Sequence, residues 1–371
     1  MKIKRIKIAG FKSIAELSLD NVAPYSVFAG PNGAGKSNLV DALTFVQAVI
    51  ELGANKAVRK FGGYEHIQCR KLEGEKATTF EFSIDGELDG KKISYLLKIN
   101  GMDKDATLDE DLQVDAETLI QRRKGENNTW NNSTQKATQY VGLPMDFSAL
   151  FLLQKQTKLY EFLANIRLFR FDPLGSKEPS ASSADAIDLH SQGHNVAAVL
   201  AGLQGNPLFS SDIQDWIGLL VPGVDAVTTE KQRLDGRTVI TFKEAGTPQP
   251  FPANMISEGT IFALCVMTAV LTRSDSPGLT LIEEPERGIH PKAIAELVKL
   301  MRDNATTTHP FFVSTHSESV VRASNVDELW LVNKLDGRTQ AKNAALHGGT
   351  PGTIPLDTAW LMNFFDGGLP W

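Results

Sequence analysis

Hydrophobic positions along the chain follow two spacings, and the switch between them separates predicted strands from predicted helices. Near the start the period is two: Ile6 and Ile8 alternate with Arg5 and Lys7, so residues 3–9 read as a half-buried strand. Residues 14–19 and the apolar Tyr-Ser-Val-Phe-Ala of 25–29 read as two further strands. From Leu39 the spacing becomes helical, with Val40, Leu43, Val46, Val49 and Ile50 continuing the stripe. Alternation returns in residues 80–84 and 93–99. The glycines at 86 and 90 between them suggest a hairpin, hence an antiparallel layer after the first long helix.

Further on, residues 150–168 carry a helical pattern that ends in Phe169-Arg170-Phe171-Asp172-Pro173. Helical signals resume at 195–203 and 211–220, and a hairpin is predicted around Asp235-Gly236, with Ile240 and Phe242 on one face. The apolar run 261–271 reads as a buried helix, too short to span a bilayer. Residues 279–282, 311–313 and 328–332 read as strands. Residues 101–150 are polar and show no period; within them 127–132 reads as an exposed turn. Residues 176–188 are small and polar and are expected to form a mobile loop. No internal repeat and no heptad run is present.

Composition changes this picture only slightly. At 42% hydrophobic and 22% charged over 371 residues, the chain has the make-up of a soluble globular protein. A net charge of −6 argues against a surface that is uniformly attractive to nucleic acid. Two local basic groups stand out: Lys2, Lys4, Arg5 and Lys7 on the first strand, and Arg122, Arg123 and Lys124. The plain reading is a solvated strand edge and a loop. Cys69 and Cys265 are the only cysteines and have no ligand spacing. That fits a reducing cytoplasm, and the absence of an apolar leader agrees with it. His190 and His194 stand four apart, but no third ligand is evident nearby, so a metal site is not expected.

The chemistry starts at Gly30-Pro31-Asn32-Gly33-Ala34-Gly35-Lys36-Ser37, a complete G-x-x-x-x-G-K-S loop set between a strand and a helix. Such a loop wraps phosphates in backbone N–H groups at the positive end of a helix. Asn38 follows on the helix. Lys36 is expected to reach the β- and γ-phosphates, and the Ser37 hydroxyl to bind Mg²⁺. Leu279-Thr280-Leu281-Ile282-Glu283-Glu284-Pro285-Glu286 is a short apolar strand ending in carboxylates, the Walker B arrangement. Glu283 is expected to help hold the metal and Glu284 to polarise the attacking water. Ile256-Ser257-Glu258-Gly259-Thr260 opens the buried helix ahead of Walker B, where a signature motif would present N–H groups to an anion. Alone, Ser-x-x-Thr is equally a helix cap. Phe311-Phe312-Val313-Ser314-Thr315-His316 delivers a histidine to the end of a strand.

In this order the motifs resemble the ABC-type ATPase heads of the SMC/RecF/OLD group, in its stand-alone AAA family branch. Ile8-Ala9-Gly10-Phe11-Lys12-Ser13-Ile14 is similar to that group's "NFRSI" strand-turn, residues 193–200 to its "DGxNLAxxL" stretch, and residues 283–291 to its "DEPExGLHP" segment. The resemblance implies an α/β fold: a P-loop NTPase of ABC/SMC-head type, with a mixed central sheet, an antiparallel β layer and a helical lobe. One head would span 1–371, with the phosphate loop in an N-terminal lobe (1–110), a helical insert region (111–249), and signature, Walker B and histidine in a C-terminal lobe (250–371).

It further implies an ATPase using ATP and Mg²⁺ at a composite site in a head-to-tail homodimer. Lys36, Glu284 and His316 would serve catalysis, and Ser257 and Gly259 would reach the γ-phosphate held by the opposite subunit. Gly288–His290 would lie in the loop that crosses the interface, and Lys12 and Ser13 would touch the nucleotide. Glu283 in place of the usual aspartate and Glu258 in place of a glycine are departures, expected to alter kinetics without killing the site. The glutamine such heads set beside the cation is not evident; Gln68 and Gln154 are the candidates. No nuclease domain is expected within residues 317–371. The implied biology is therefore a switch on a separate effector, such as a nuclease or Toprim-like protein, in anti-phage defence. The alternative is a RecF/SMC-like ATPase that binds DNA in repair or recombination. A membrane-transporter motor would need a signature nearer Leu-Ser-Gly-Gly-Gln, and a kinase or GTPase would leave the later motifs unexplained.

Overall fold

The computed structural model describes residues 1–123, 129–131, 137–139, 143–155, 157–181, 188–204, 207–221, 223–273, 276–348 and 352–369. Its central sheet has six strands, ordered Ile166–Phe169, Leu279–Glu283, Phe311–Thr315, Tyr25–Ala29, Leu329–Leu335, Arg338–Asn343. The first five pair in parallel and the last is antiparallel, which makes the sheet mixed. Because successive side chains point to opposite faces, each inner strand feeds two cores. Phe28, Leu281, Phe312 and Trp330 join one, while Val27, Ile282, Val313 and Leu331 join the other. This explains why Tyr25–Ala29 is buried at every position.

The first core is closed by a second, antiparallel sheet of eight strands. Its order is Ile14–Asp20, Lys2–Phe11, Phe80–Leu88, Lys91–Asn100, Thr107–Val114, Glu117–Arg122, Thr129–Asn131, Ala137–Gln139. Helix Lys36–Leu52 packs against this layer. Phe45 meets Phe80 edge-on, with ring centroids 5.1 Å apart, and Phe11 at 5.5 Å. Each such buried ring contributes about 2–3 kcal/mol of transfer free energy. Helix Glu258–Arg273 belongs to the second core and is apolar nearly all round, as a helix covered on every side must be. Helix Pro291–Asn304 buries one stripe only, through Ile294, Leu297, Val298 and Met301. Among the described residues no helix is long and apolar enough to cross a membrane.

Several expectations are corrected. The helical pattern of 150–168 resolves into a 3-10 turn (Ala149–Leu153), a short helix (Leu159–Ala164) and a strand (Ile166–Phe169). Register with Leu279–Ile282 pulls Ile166–Phe169 into the sheet, a long-range pairing that local spacing does not encode. The unreadable stretch after residue 100 supplies strands Thr107–Val114 and Glu117–Arg122. Of the turn expected at 127–132, residues 127, 128 and 132 lie outside the described residues, and Thr129–Asn131 is a strand. In the loop expected at 176–188, residues 182–187 lie outside the description. Ser176 ends up buried in the short Pro173–Lys177 helix, and Ser180 bridges to Thr238.

Arg122 is not on a solvated loop. Only 3% exposed, it donates to the carbonyl of Pro144 at 2.7 Å and to that of Phe147, and lies 3.6 Å from the buried Glu110. The first strand is not a sheet edge either: Lys2–Phe11 lies between Ile14–Asp20 and Phe80–Leu88, and on its solvated face Arg5 pairs with Asp20 and Lys7 with Glu16.

Candidate nucleotide-binding site

The phosphate loop leaves the centre of the parallel sheet and turns directly into helix Lys36–Leu52. Glycine is required at two of its positions. A Cβ on Gly30 would stand 2.2 Å from the carbonyl oxygen of Val332. Gly35 has φ +103°, and a Cβ there would stand 1.9 Å from Thr339 Oγ1. Thr339, on the last strand of the sheet, braces the loop from behind. Its hydroxyl lies 2.6 Å from Ser13 Oγ and 3.2 Å from the Ala34 carbonyl. Asn38 Nδ2 donates to the same Ser13 Oγ at 2.5 Å. Ser13 is therefore a buried strut under the loop. Lys12, at φ +50°, sets its ammonium 2.5 Å from Asp41. Neither Lys12 nor Ser13 lines the cleft above.

That cleft, about 670 Å³, is lined by Asn32, Gly33, Gly35, Lys36, Ser37 and Asn38 from the loop and helix start. Glu283, Glu284 and Ser314 line it from the neighbouring strand ends. Lys36 is 8% exposed and donates to the carbonyls of Gly30 at 2.7 Å and Pro31 at 3.0 Å. Burial pulls its pKa below the ordinary lysine value, and the carboxylates of Glu284, Glu286 and Glu283 oppose that pull. Glu284 occupies a left-handed backbone position (φ +49°), uncommon for a residue with a side chain, and its N–H donates to the Ser314 carbonyl at 2.8 Å. His316 Nδ1 lies 3.2 Å from Glu284 Oε1, so the strand-end histidine and the second Walker B carboxylate meet. Glu286 is buried and accepts from Thr315 Oγ1 at 2.5 Å; burial raises its pKa above the ordinary carboxylate value.

Glu283 Oε1 is buried with no hydrogen-bond partner, and the exposed Ser37 hydroxyl lines the same cleft. Oxygen donors of this kind suit a hard divalent cation such as Mg²⁺.

Arg170, which motif reading passed over, is the main addition. It follows the Ile166–Phe169 strand beside Walker B, donates through Nε to Glu283 Oε2, and sits 2.7 Å from Asp41 through Nη2. Burial works against its charge, but the hydrogen bonds to Glu283 and Asp41 outweigh that and raise its pKa. Gln68 and Gln154 do not line the cleft. A sequence signal for Arg170 did exist: a basic residue directly after Ile166-Arg167-Leu168-Phe169, a stretch apolar at three of four positions, hidden because that stretch reads as helix.

The signature segment is a cap in this structure. Ser257 Oγ accepts from the Thr260 N–H at 3.1 Å and contacts Thr260 Oγ1 at 2.7 Å. Ser257 is exposed, and Glu258 rather than Ser257 or Gly259 lines the same-chain cleft. Lys177 ties the segment to the cleft wall by donating to the Ile256 carbonyl at 2.7 Å. Gly259 has a role that motif reading missed: a Cβ there would stand 2.1 Å from the carbonyl oxygen of Gly288, so helix start and Walker B turn touch backbone to backbone. Gly259→Ala is expected to destabilise the fold by about 1–3 kcal/mol, the usual cost of overpacking. Urea unfolding should show a lower midpoint with unchanged slope; an unmoved midpoint would mean that the two backbones separate freely.

His194 Nε2 lies 3.1 Å from Asp172 Oδ2, and the His190 N–H donates to Asn195 Oδ1. Among the described residues no group of three or more His, Cys, Asp or Glu is placed to hold a metal.

With this geometry in view, the chain compares with known proteins as follows. Short stretches are similar to curated relatives: 32% identity over 104 residues with the chromosome partition protein Smc of Gloeobacter violaceus, covering 27% of this chain and 9% of that protein. A second stretch is 33% identical over 98 residues to the DNA replication and repair protein RecF of Cytophaga hutchinsonii, covering 26% and 25%. The chain thus spans a quarter or less of these relatives' length. Among solved structures, an Smc head bound to the C-winged helix domain of ScpA superposes with a TM-score of 0.59 at 16% identity, over 92% of this chain and 98% of that one. The SMC head domain from Thermotoga maritima gives 0.52 at 15%, over 92% and 99%. The fold is therefore that of a P-loop head of the ABC/SMC type. The profile described as "AAA domain, putative AbiEii toxin, Type IV TA system" matches residues 26–322. That span runs from the strand before the phosphate loop to just past His316, and the chain belongs to this family.

Proposed function

We propose that the chain is an ATP-hydrolysing switch in which two copies, placed head to tail, close on two ATP molecules and separate after hydrolysis. The observation that carries this reading is the convergence of Lys36, Ser37, Glu283 and Glu284 on one cleft, with His316 3.2 Å from Glu284 and the capped start at Ser257 turned to solvent. Backbone N–H groups of Gly33–Ser37 cradle the β- and γ-phosphates, and Lys36 exchanges its carbonyl partners for phosphate oxygens. Ser37 and Glu283 would hold Mg²⁺, whose chemistry there is to offset charge on the β- and γ-oxygens. Glu284 accepts a proton from the attacking water, held in place by its backbone bond to Ser314 and by His316. Ser257 and Gly259 of the partner copy would present helix-terminal N–H groups to the γ-phosphate.

Loss of the γ-phosphate removes the contacts shared by the two copies, which is how hydrolysis would loosen the pair. The effector would be a separate protein such as a nuclease or Toprim-like protein, and the setting anti-phage defence. The family description, with its mention of a toxin, and a solved head described in complex with ScpA support a head that acts through a partner.

Ser257→Arg tests the composite site. The variant is expected to bind ATP as the wild type does but to remain monomeric by light scattering, with turnover down by about tenfold or more. Normal turnover by this variant would defeat the shared-site reading. The stretch similar to RecF favours a second reading, a DNA-binding ATPase. ATP-dependent binding to DNA ends or gaps that falls steeply with salt would establish it.

A further inference from the structure

An ion-pair chain that the motifs do not explain runs up to the cleft wall, where Arg170 and Glu283 line it. Asp41 lies between Lys12 Nζ at 2.5 Å and Arg170 Nη2 at 2.7 Å, and Arg170 Nε donates to Glu283 Oε2. One guanidinium is thus shared by two carboxylates that come from different elements, the helix after the phosphate loop and the Walker B strand. The Glu283 and Asp41 side chains are only 13% and 15% exposed, so water and salt screen these attractions weakly. Arg170 itself is nearly half exposed and lines the cleft beside Lys36 and Ser37.

Glu283 cannot serve a guanidinium and a divalent cation equally. Its Oε1 is free, but a carboxylate whose other oxygen accepts a charge-assisted hydrogen bond is a poorer metal donor, and a fixed positive charge beside the seat repels a dication. A triphosphate changes the balance, because a planar guanidinium pairs with phosphate oxygens in two-pronged fashion as readily as with carboxylate.

We propose that Arg170 is an interlock on the metal seat. While it holds Glu283, a divalent cation is admitted poorly, and a triphosphate opens the seat by drawing the guanidinium away. Asp41, held in turn by Lys12, keeps Arg170 within the cleft during the exchange. The inference rests on the ATP-binding reading above and assigns to Arg170 a positioning role exerted through Glu283.

The test is Mn²⁺ binding to the full chain, read by the electron paramagnetic resonance signal of free Mn²⁺, first without nucleotide and then with saturating ATPγS. Without nucleotide, Arg170→Gln should bind Mn²⁺ at least about tenfold more tightly than the wild type. Arg170→Lys, which keeps the charge, should stay within about threefold of the wild type. Asp41→Asn removes a carboxylate that shares the guanidinium and should weaken Mn²⁺ binding. A purely structural role would shift Arg170→Gln and Asp41→Asn the same way; opposite shifts are the signature of the interlock. With ATPγS the gap between wild type and Arg170→Gln should close. Equal or weaker Mn²⁺ binding by a folded Arg170→Gln, checked by thermal melting, overturns the interlock. Failure of the wild type to bind ATPγS would instead overturn the proposed function, since the nucleotide-free comparison is read without it.

Discussion

Lys36→Ala is expected to weaken ATP binding by at least about a hundredfold, because charge-assisted hydrogen bonds to phosphate contribute about 1.5–3 kcal/mol each and every 1.4 kcal/mol is tenfold in affinity. The same change should leave the fold intact. Lys36 sits in the cleft with its charge disfavoured by burial, and its two partners are carbonyls of the loop itself. Removing the ammonium also removes a desolvation cost, so melting temperature should hold or rise slightly. Titration with a fluorescent ATP analogue, paired with a thermal melt, separates the two effects. Affinity near the wild-type value would refute the role given to Lys36.

Glu284→Gln is expected to leave ATP binding within a few-fold while slowing hydrolysis by about 10²–10⁴, the range for losing a general base. The amide keeps nearly the same shape and the Ser314 backbone bond, so the left-handed turn at Glu284 should persist. What disappears is the ability to accept a proton. Slow turnover should trap the closed pair, visible by light scattering as an ATP-dependent dimer that the wild type forms only in passing. Unchanged single-turnover rates would move the base elsewhere, and a slow enzyme that stays monomeric would separate chemistry from association.

The two variants probe different layers of one arrangement. Lys36 and Ser37 come from the helix start after Tyr25–Ala29, whereas Glu283 and Glu284 close the strand two places away, with Phe311–Thr315 between them. Parallel strands bring all three C-terminal ends to the same edge of the sheet, where open α/β folds place their ligands. The chemistry is thus concentrated by topology before any side chain is considered.

Much of this was already legible along the chain. Alternation within residues 3–9, 80–84 and 93–99 points to the antiparallel layer, and the mostly apolar Tyr25–Ala29 to a strand buried on both faces. The phosphate loop, Glu283, Glu284 and His316 stand out as candidates because each sits beside its own strand or helix, and local spacing reports that context. Ile166–Phe169 was misread because four residues fit either period, and a parallel partner more than a hundred positions away decided between them.

By itself the sequence determined the G-x-x-x-x-G-K-S loop between strand and helix, the acidic strand end and the order of the motifs, since these depend on short-range geometry and on residue chemistry. Only the tertiary structure decided that Ser13 and Thr339 brace the loop from beneath, that Gly259 touches Gly288, and that Arg170 bridges Asp41 and Glu283. Each of these contacts joins segments far apart in the chain. Such pairings are selected by how sheets and helices bury their apolar faces together, and no local pattern carries that information.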